Sequence, residues 1–293
     1  MRHRLDSLNQ VPSADFVAAL GSLFEHAPWV ATAIVSRRPF ETLADLFAAM
    51  RHAVLTSDEE RRLDLLRSHP ELAGAAARSG NMTAESVAEQ GSAGLDRLPA
   101  GRVALFDELN RAYRERFGFP FIACVRRHGS DSLLREFQRR VELDPHAERS
   151  TALDEVFRIA ALRLDALVEG PDRLPVSGRL STHVLDTANG VPAEGVALTL
   201  VELSEAGERP VASTVTNANG RTDTPLVAER PIPRATYELR FALGDYFRTR
   251  GTPMPDLPFL DLVPIRFGVA EPEGHYHVPL TASPWSYSTY RGS

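Results

Sequence analysis

Apolar positions in the first part of the chain recur with a helical period. In ETLADLFAAMRHAVL, Leu43, Leu46, Phe47, Met50 and Val54 fall on one face. SDEERRLDLLRSHP follows, with Ser57 and Glu60 in capping-box register at the start of a helix. LPAGRVALFDELNRAYRERFG begins at Pro99 and stops at Gly118, and Leu105, Phe106, Leu109, Tyr113 and Phe117 form its stripe. SDSLLREFQRRVEL and STALDEVFRIAALRLDALV predict two more helices. After EGPDRLPVSG, rich in Pro and Gly and without period, the pattern changes to short, alternating or β-branched runs. RLSTHVLD, GVALTLVEL, ASTVTN, ATYELRFAL and GHYHVPL are separated by turn signals such as EAGE and NANG. The expected fold is multidomain: an all-α domain over 1–168, a linker over 169–178 and an all-β sandwich over 179–293.

Composition narrows the classes. The formal net charge is −6 and no basic cluster stands out, which excludes a nucleic-acid partner. All 33 basic residues are Arg, a compositional bias that says little about mechanism. No apolar run reaches the ~18 residues of a membrane helix, and MRHRLDSLNQVP has no signal core. A cytoplasmic protein is the expectation. One cysteine, Cys124, lies in the apolar run FPFIACV, where a small buried residue is the simplest reading.

Several residues break their local pattern. His69 follows a helix and precedes Pro70, which biases it out of helical backbone. Ser86, Glu89 and Gln90 fall at i, i+3 and i+4, on one helix face. Arg163 interrupts the apolar face made by Val156, Ala160 and Leu167, and a buried Arg needs a partner. In the β part, His183 shares a face with Ser181 and Leu185, His275 shares one with His277, and Arg221 follows Gly220 in TNANGR. Taken singly, each has a bland reading: a helix-end His, a solvated polar stripe, a snorkelling Arg, satisfied strand histidines. The histidines could also hold a metal, but no carboxylate stands beside them at ligand spacing and no HExxH occurs.

Taken together these residues resemble two families. STHVLD, TNANGRTD, GDYF, HYHVPL and the ending SPWSYSTYRGS are similar to 5-hydroxyisourate hydrolase, the transthyretin-related enzyme of urate breakdown, over residues 179 to 293. Thr281 and Ala282 depart from the aliphatic residues more usual there. The resemblance implies catalytic roles for His183, Arg221, His277 and Ser286. It also implies a site wall that includes Tyr290, Arg291 and Ser293, with Arg291 supplying a cation near the substrate. Which histidine is the base stays open. FEHAPWVA, SHPELAG, SxxEQxxAGLDRL and FGFPFIACV resemble 2-oxo-4-hydroxy-4-carboxy-5-ureidoimidazoline (OHCU) decarboxylase, an all-α enzyme, from about residue 8 to 168. That resemblance implies His69 as the proton-handling residue. It makes Pro70, Ser86, Glu89, Gln90, Arg163 and the backbone from Phe119 to Ile122 the substrate pocket, with Arg163 anchoring substrate oxygens. The two resemblances imply consecutive reactions on small-molecule substrates, 5-hydroxyisourate and OHCU, without metal or cofactor and away from membranes. They also imply a homotetramer through the β domain, with possible dimer contacts through the α domain. A transthyretin-like carrier joined to a silent helical scaffold is the alternative.

Overall fold

Asp58, one residue after the expected cap, starts a helix in the computed structural model of the chain. Its carboxylate accepts the Arg61 N–H, while the Ser57 hydroxyl turns back to the Val54 carbonyl. Both arrangements satisfy backbone groups that helix ends leave open. The structure describes residues 2–73, 84–92, 95 and 98–292. Two compact units emerge: Met1–Val125 with Leu133–Val176, and Arg126–Ser132 with Ser177–Ser293.

The first unit is helical. Among its described residues are α1 (Leu5–Gln10), α2 (Ser13–Leu20), α3 (Trp29–Ile34), α4 (Leu43–Leu55), α5 (Glu59–Arg67), α6 (Ala84–Ser92), α7 (Ala100–Phe117), α8 (Ser130–Arg140) and α9 (Pro145–Leu167). The first residues of α8 belong to the second unit. Pro99 and Gly118 cap helix α7, and the Gly118 φ of 76° is the left-handed stop that glycine accepts freely. Helix α9 starts five residues before the run that predicted it, because Asp144 caps the N–H groups of His146 and Ala147 and Pro145 takes the first turn. The core joins Leu43, Leu46, Met50 and Val54 to Phe16, Phe24, Phe106, Tyr113, Phe137 and Phe157. Part of the expected linker is ordered here: β2 (Val168–Glu169) pairs in parallel with β1 (His3–Arg4).

The second unit holds two sheets that share one core. The first has strand order β11-β10-β3-β4, with β7 also paired to β3. The second has the order β6-β5-β8-β9. The strands are β3 (Gly178–Asp186), β4 (Val191–Pro192), β5 (Ala197–Ser204), β6 (Gly207–Val215), β7 (Val227–Arg230), β8 (Ala235–Ala242), β9 (Leu262–Val269), β10 (His275–Ala282) and β11 (Tyr287–Thr289). Leu180, Val184 and Leu280 of one sheet meet Leu198, Leu200, Leu239 and Phe241 of the other. GDYF lies not in a strand but in the short helix α10 (Leu243–Thr249), which buries Leu243, Tyr246 and Phe247. Strand β9 went unpredicted because Pro264 interrupts its run. It is an edge strand, where a missing N–H is tolerated.

Candidate active sites

In the first unit, His69 sits just past the end of α5. Its backbone N–H donates to the Leu66 carbonyl at 3.3 Å, and its Nδ1 lies 2.8 Å from the Leu65 carbonyl oxygen. A carbonyl only accepts, so Nδ1 carries the proton and Nε2 keeps its lone pair. Burial lowers the imidazole pKa to about 4; the Leu65 hydrogen bond and the nearby Glu25 carboxylate oppose that shift. The ring therefore stays neutral well below its usual range.

Pro70, Leu72, Ser86, Glu89, Gln90, Phe121, Ile122, Ile159 and Arg163 line one pocket with His69. Gln90 fastens the His69 loop: its Oε1 accepts the Ala73 N–H at 2.9 Å and its Nε2 donates to the Glu71 carbonyl at 3.2 Å. Phe119 does not join them. It packs edge-on to Tyr113, with ring centroids 5.8 Å apart, and the aromatic ring at the pocket is Phe121. The Ile122 carbonyl accepts from Arg140 Nη1 at 2.8 Å, and the Cys124 N–H donates to Glu155 Oε2 at 2.7 Å. Arg140 is itself fully buried against Glu148, which also receives the Tyr113 hydroxyl. The pocket-lining backbone is thus pinned by buried charges from α8 and α9.

Arg163 does not point its donors at open space. Nε and Nη2 grip Glu89, each at 2.9 Å, and Nη1 donates to Glu25 at 3.0 Å. Glu25 lies in the motif FEHAPWVA but was given no role from the sequence. It lies between α2 and α3 in LFEHAPW, outside any helical period. An acid set in an apolar run was the signal, and the need of a buried Arg for a partner was the reason to look.

In the second unit, β3 and β10 run parallel, and their outward positions bring the histidines together. His277 pairs with Ser181 and Pro279 with His183 in the register. Ser181 Oγ stands 3.0 Å from His277 Nδ1, a contact across 96 residues. The turn at Asn217–Arg221 places Arg221 beside His183 through an isolated bridge. Gly220 makes this approach feasible: its φ is 71°, and a Cβ there would lie 2.3 Å from the Val184 carbonyl oxygen. Burial, then the Arg221 charge, holds His183 below the ordinary imidazole range; His277 is lowered by burial, Arg221 and the other two histidines. Arg221, His275, His277, Ser181, Thr182 and Asp223 are among the residues lining a groove of ≈ 230 Å³.

The chain's final residues approach this groove by backbone rather than by charge. The Gly292 N–H donates to the His277 carbonyl at 2.9 Å. Arg291 sits with its guanidinium 4.8 Å over the Tyr276 ring, and Tyr276 lies on the opposite face of β10 from His277. The Tyr276 hydroxyl in turn accepts the Ala270 and Glu271 N–H groups. Tyr290 is exposed. The Ser286 hydroxyl is 3.0 Å from that of Ser283 in the turn before β11, and it is not among the groove-lining residues. Ser293 lies outside the described residues.

Comparison with known proteins matches each unit separately. The OHCU decarboxylase family model matches residues 9–165, and the HIUase/Transthyretin family model matches residues 180–292. The chain is 52% identical over 116 residues to a 5-hydroxyisourate hydrolase of Ralstonia nicotianae, covering 99% of that protein and 40% of this chain. It is 43% identical over 160 residues to a 2-oxo-4-hydroxy-4-carboxy-5-ureidoimidazoline decarboxylase of Haloferax volcanii, covering 93% of that protein and 55% of this chain. A crystal structure of (S)-allantoin synthase is similar over 99% of this chain and 100% of its own, with 36% identity and a TM-score of 0.54.

Proposed function

The chain belongs to the OHCU decarboxylase family and, through its second unit, to the HIUase/transthyretin family, and from that premise we propose how its two sites divide the work. It is a bifunctional enzyme of urate degradation. The second unit adds water to 5-hydroxyisourate and opens a lactam to give OHCU. The first unit removes CO₂ from OHCU to give (S)-allantoin. The observation that carries this reading is the likeness to (S)-allantoin synthase along the whole chain, with each half also related to an enzyme of one of the two steps.

For the hydrolase step, our reading assigns His183, Arg221 and His277 to the chemistry. Imidazoles held below their usual pKa are neutral at pH 7, so one can take a proton from the attacking water. Arg221 holds substrate oxygens and keeps the imidazoles uncharged. Ser181 orients His277 through Nδ1. The tail closes the site by fixing the His277 backbone and by lining its mouth with Tyr290. Ser286 takes part through the turn it builds with Ser283. A homotetramer assembled through this unit fits the exposed Trp285, Tyr287 and Tyr290. The family resemblance adds dimer contacts through the helical unit.

For the decarboxylation, we assign His69 Nε2 as acceptor of the substrate hydroxyl proton. The C–C bond to the carboxylate breaks, its electrons pass into the ring system, and CO₂ departs neutral. The ring carbon and the ring nitrogen that received the electrons then each take up a proton, one returned by His69 and one from water, which completes allantoin. Ser86, Glu89 and Gln90 hold the ureido and ring groups, and Pro70 with the Phe121–Ile122 backbone shapes the wall. Orientation of the carboxylate out of the ring plane aligns the breaking bond with its acceptor.

The test is a combined ultraviolet and circular dichroism time course on fresh 5-hydroxyisourate. Prompt formation of optically active allantoin is the expected outcome. Decay at the spontaneous rate would make the second unit a carrier, and persistence of OHCU would make the first unit a scaffold.

A further inference from the structure

Among the described residues that line the pocket Arg163 is the one arginine, and the substrate that follows from the proposed function carries a carboxylate. Simple pairing of the two would be poor catalysis. A carboxylate that leaves as neutral CO₂ loses its charge in the transition state, so a cation bound to it stabilises the ground state more and raises the barrier. The structure shows how such pairing is prevented. Glu89 occupies the Nε and Nη2 edge of the guanidinium with two hydrogen bonds of 2.9 Å. Glu25 occupies Nη1 at 3.0 Å, where otherwise only the Ser22 carbonyl approaches, at 3.4 Å. Two carboxylates therefore face one guanidinium.

Glu25 is built into this place. It is only 3% exposed, and Ser86 Oγ lies 3.3 Å from its Oε2. The Ser68 hydroxyl, next to His69, is 2.9 Å from the Glu25 carbonyl oxygen. His26 then turns the chain away with a left-handed φ of 48°, leaving its own ring mostly exposed. A buried carboxylate is costly unless it is paired, and here Arg163, a side chain able to neutralise the substrate, is a partner.

We propose that Glu25 is a positioning residue of the decarboxylase site, which holds the free edge of Arg163 so that the guanidinium presents Glu89 to N–H donors of the substrate and stays off its carboxylate. This rests on the proposed decarboxylation of OHCU. The ligand chemistry that follows is specific: the ureido and ring N–H groups meet the acidic side of the pocket, and the carboxylate lies toward the apolar wall of Phe121, Ile122 and Ile159.

The experiment is steady-state decarboxylation by the full-length chain carrying Glu25→Gln, with OHCU generated from 5-hydroxyisourate by excess separate hydrolase. Loss of the charge frees Arg163 to pair with the substrate carboxylate. The expected result is a split: kcat falls at least tenfold while KM stays level or drops, the pattern of a lost ground-state discrimination. Glu25→Asp, which keeps the charge but withdraws it by one methylene, should recover part of kcat. A kcat within twofold of the wild type, or a KM that rises as kcat falls, would overturn the assignment. If Glu25→Gln fails to fold by circular dichroism, Glu25→Asp carries the same test, with kcat lowered and KM not raised. A wild-type chain that releases no CO₂ from OHCU would instead remove the functional reading beneath the proposal.

Discussion

A single methyl group at Gly292 would stand 2.6 Å from His277 Cδ2, well inside van der Waals contact. The chain can lie against the imidazole only because that residue has no side chain. Gly292→Ala should therefore push the tail or the ring out of place and lower hydrolase kcat/KM by roughly tenfold, which corresponds to about 1.4 kcal/mol. Decay of 5-hydroxyisourate measures the hydrolase, and OHCU decarboxylation by the same protein should be unchanged. His69 permits a second expectation. With its pKa held at about 4, the acid limb of decarboxylase kcat/KM should fall near pH 4 rather than at the ~6.5 of a free imidazole. The stability sign follows from the same shift. The folded state binds this proton only near pH 4, while the unfolded chain binds it near ~6.5. The stabilisation is complete above pH 6.5 and is lost as the pH falls toward 4. Urea titrations of wild type and His69→Gln across that window should converge at low pH.

Helix and strand ends decide where these residues stand. Asp144 caps α9 by accepting two backbone N–H groups, and α9 carries both Glu148 and Arg163. Asp144→Ala should cost about 1 kcal/mol of stability, read as a lower urea midpoint, with little change in either activity. The tail is the corresponding element of the second unit. Strand β11 pairs antiparallel with β10, Gly292 bonds to His277, and Arg291 stacks on Tyr276. Removal of Tyr290–Ser293 takes away the last two of these contacts. The expected outcome is loss of hydrolysis with decarboxylation intact, with assembly monitored by light scattering. Hydrolysis at the full rate in a normally assembled truncated protein would show that the tail plays no part in the chemistry.

At the scale of the molecule, two separate hydrophobic cores carry two separate sets of chemistry. A chain with His69→Ala should convert 5-hydroxyisourate to OHCU and stop there, and a chain with His277→Ala should slow the first step alone. Chromatography of the intermediate against allantoin distinguishes the two.

The helical and alternating periods were enough to place the α-to-β change in the chain, because burial of a face imposes a period of 3.6 or 2 on side chains. The same local rules marked out His69 before a proline, Arg163 on an apolar stripe, and Arg221 after a turn glycine. They failed where the local pattern was interrupted: Pro264 masked β9, and GDYF gave no sign of its helix. Partnership across long sequence separations was beyond them in principle. Glu25 meets Arg163 across 138 residues and Ser181 meets His277 across 96, and no local spacing encodes either pair. The sequence could show that Arg163 needed a counter-charge but not that it would have two, nor that Arg291 would stack on the Tyr276 ring. Those choices follow from packing, which brings distant side chains within hydrogen-bond range and allots each donor to its acceptor.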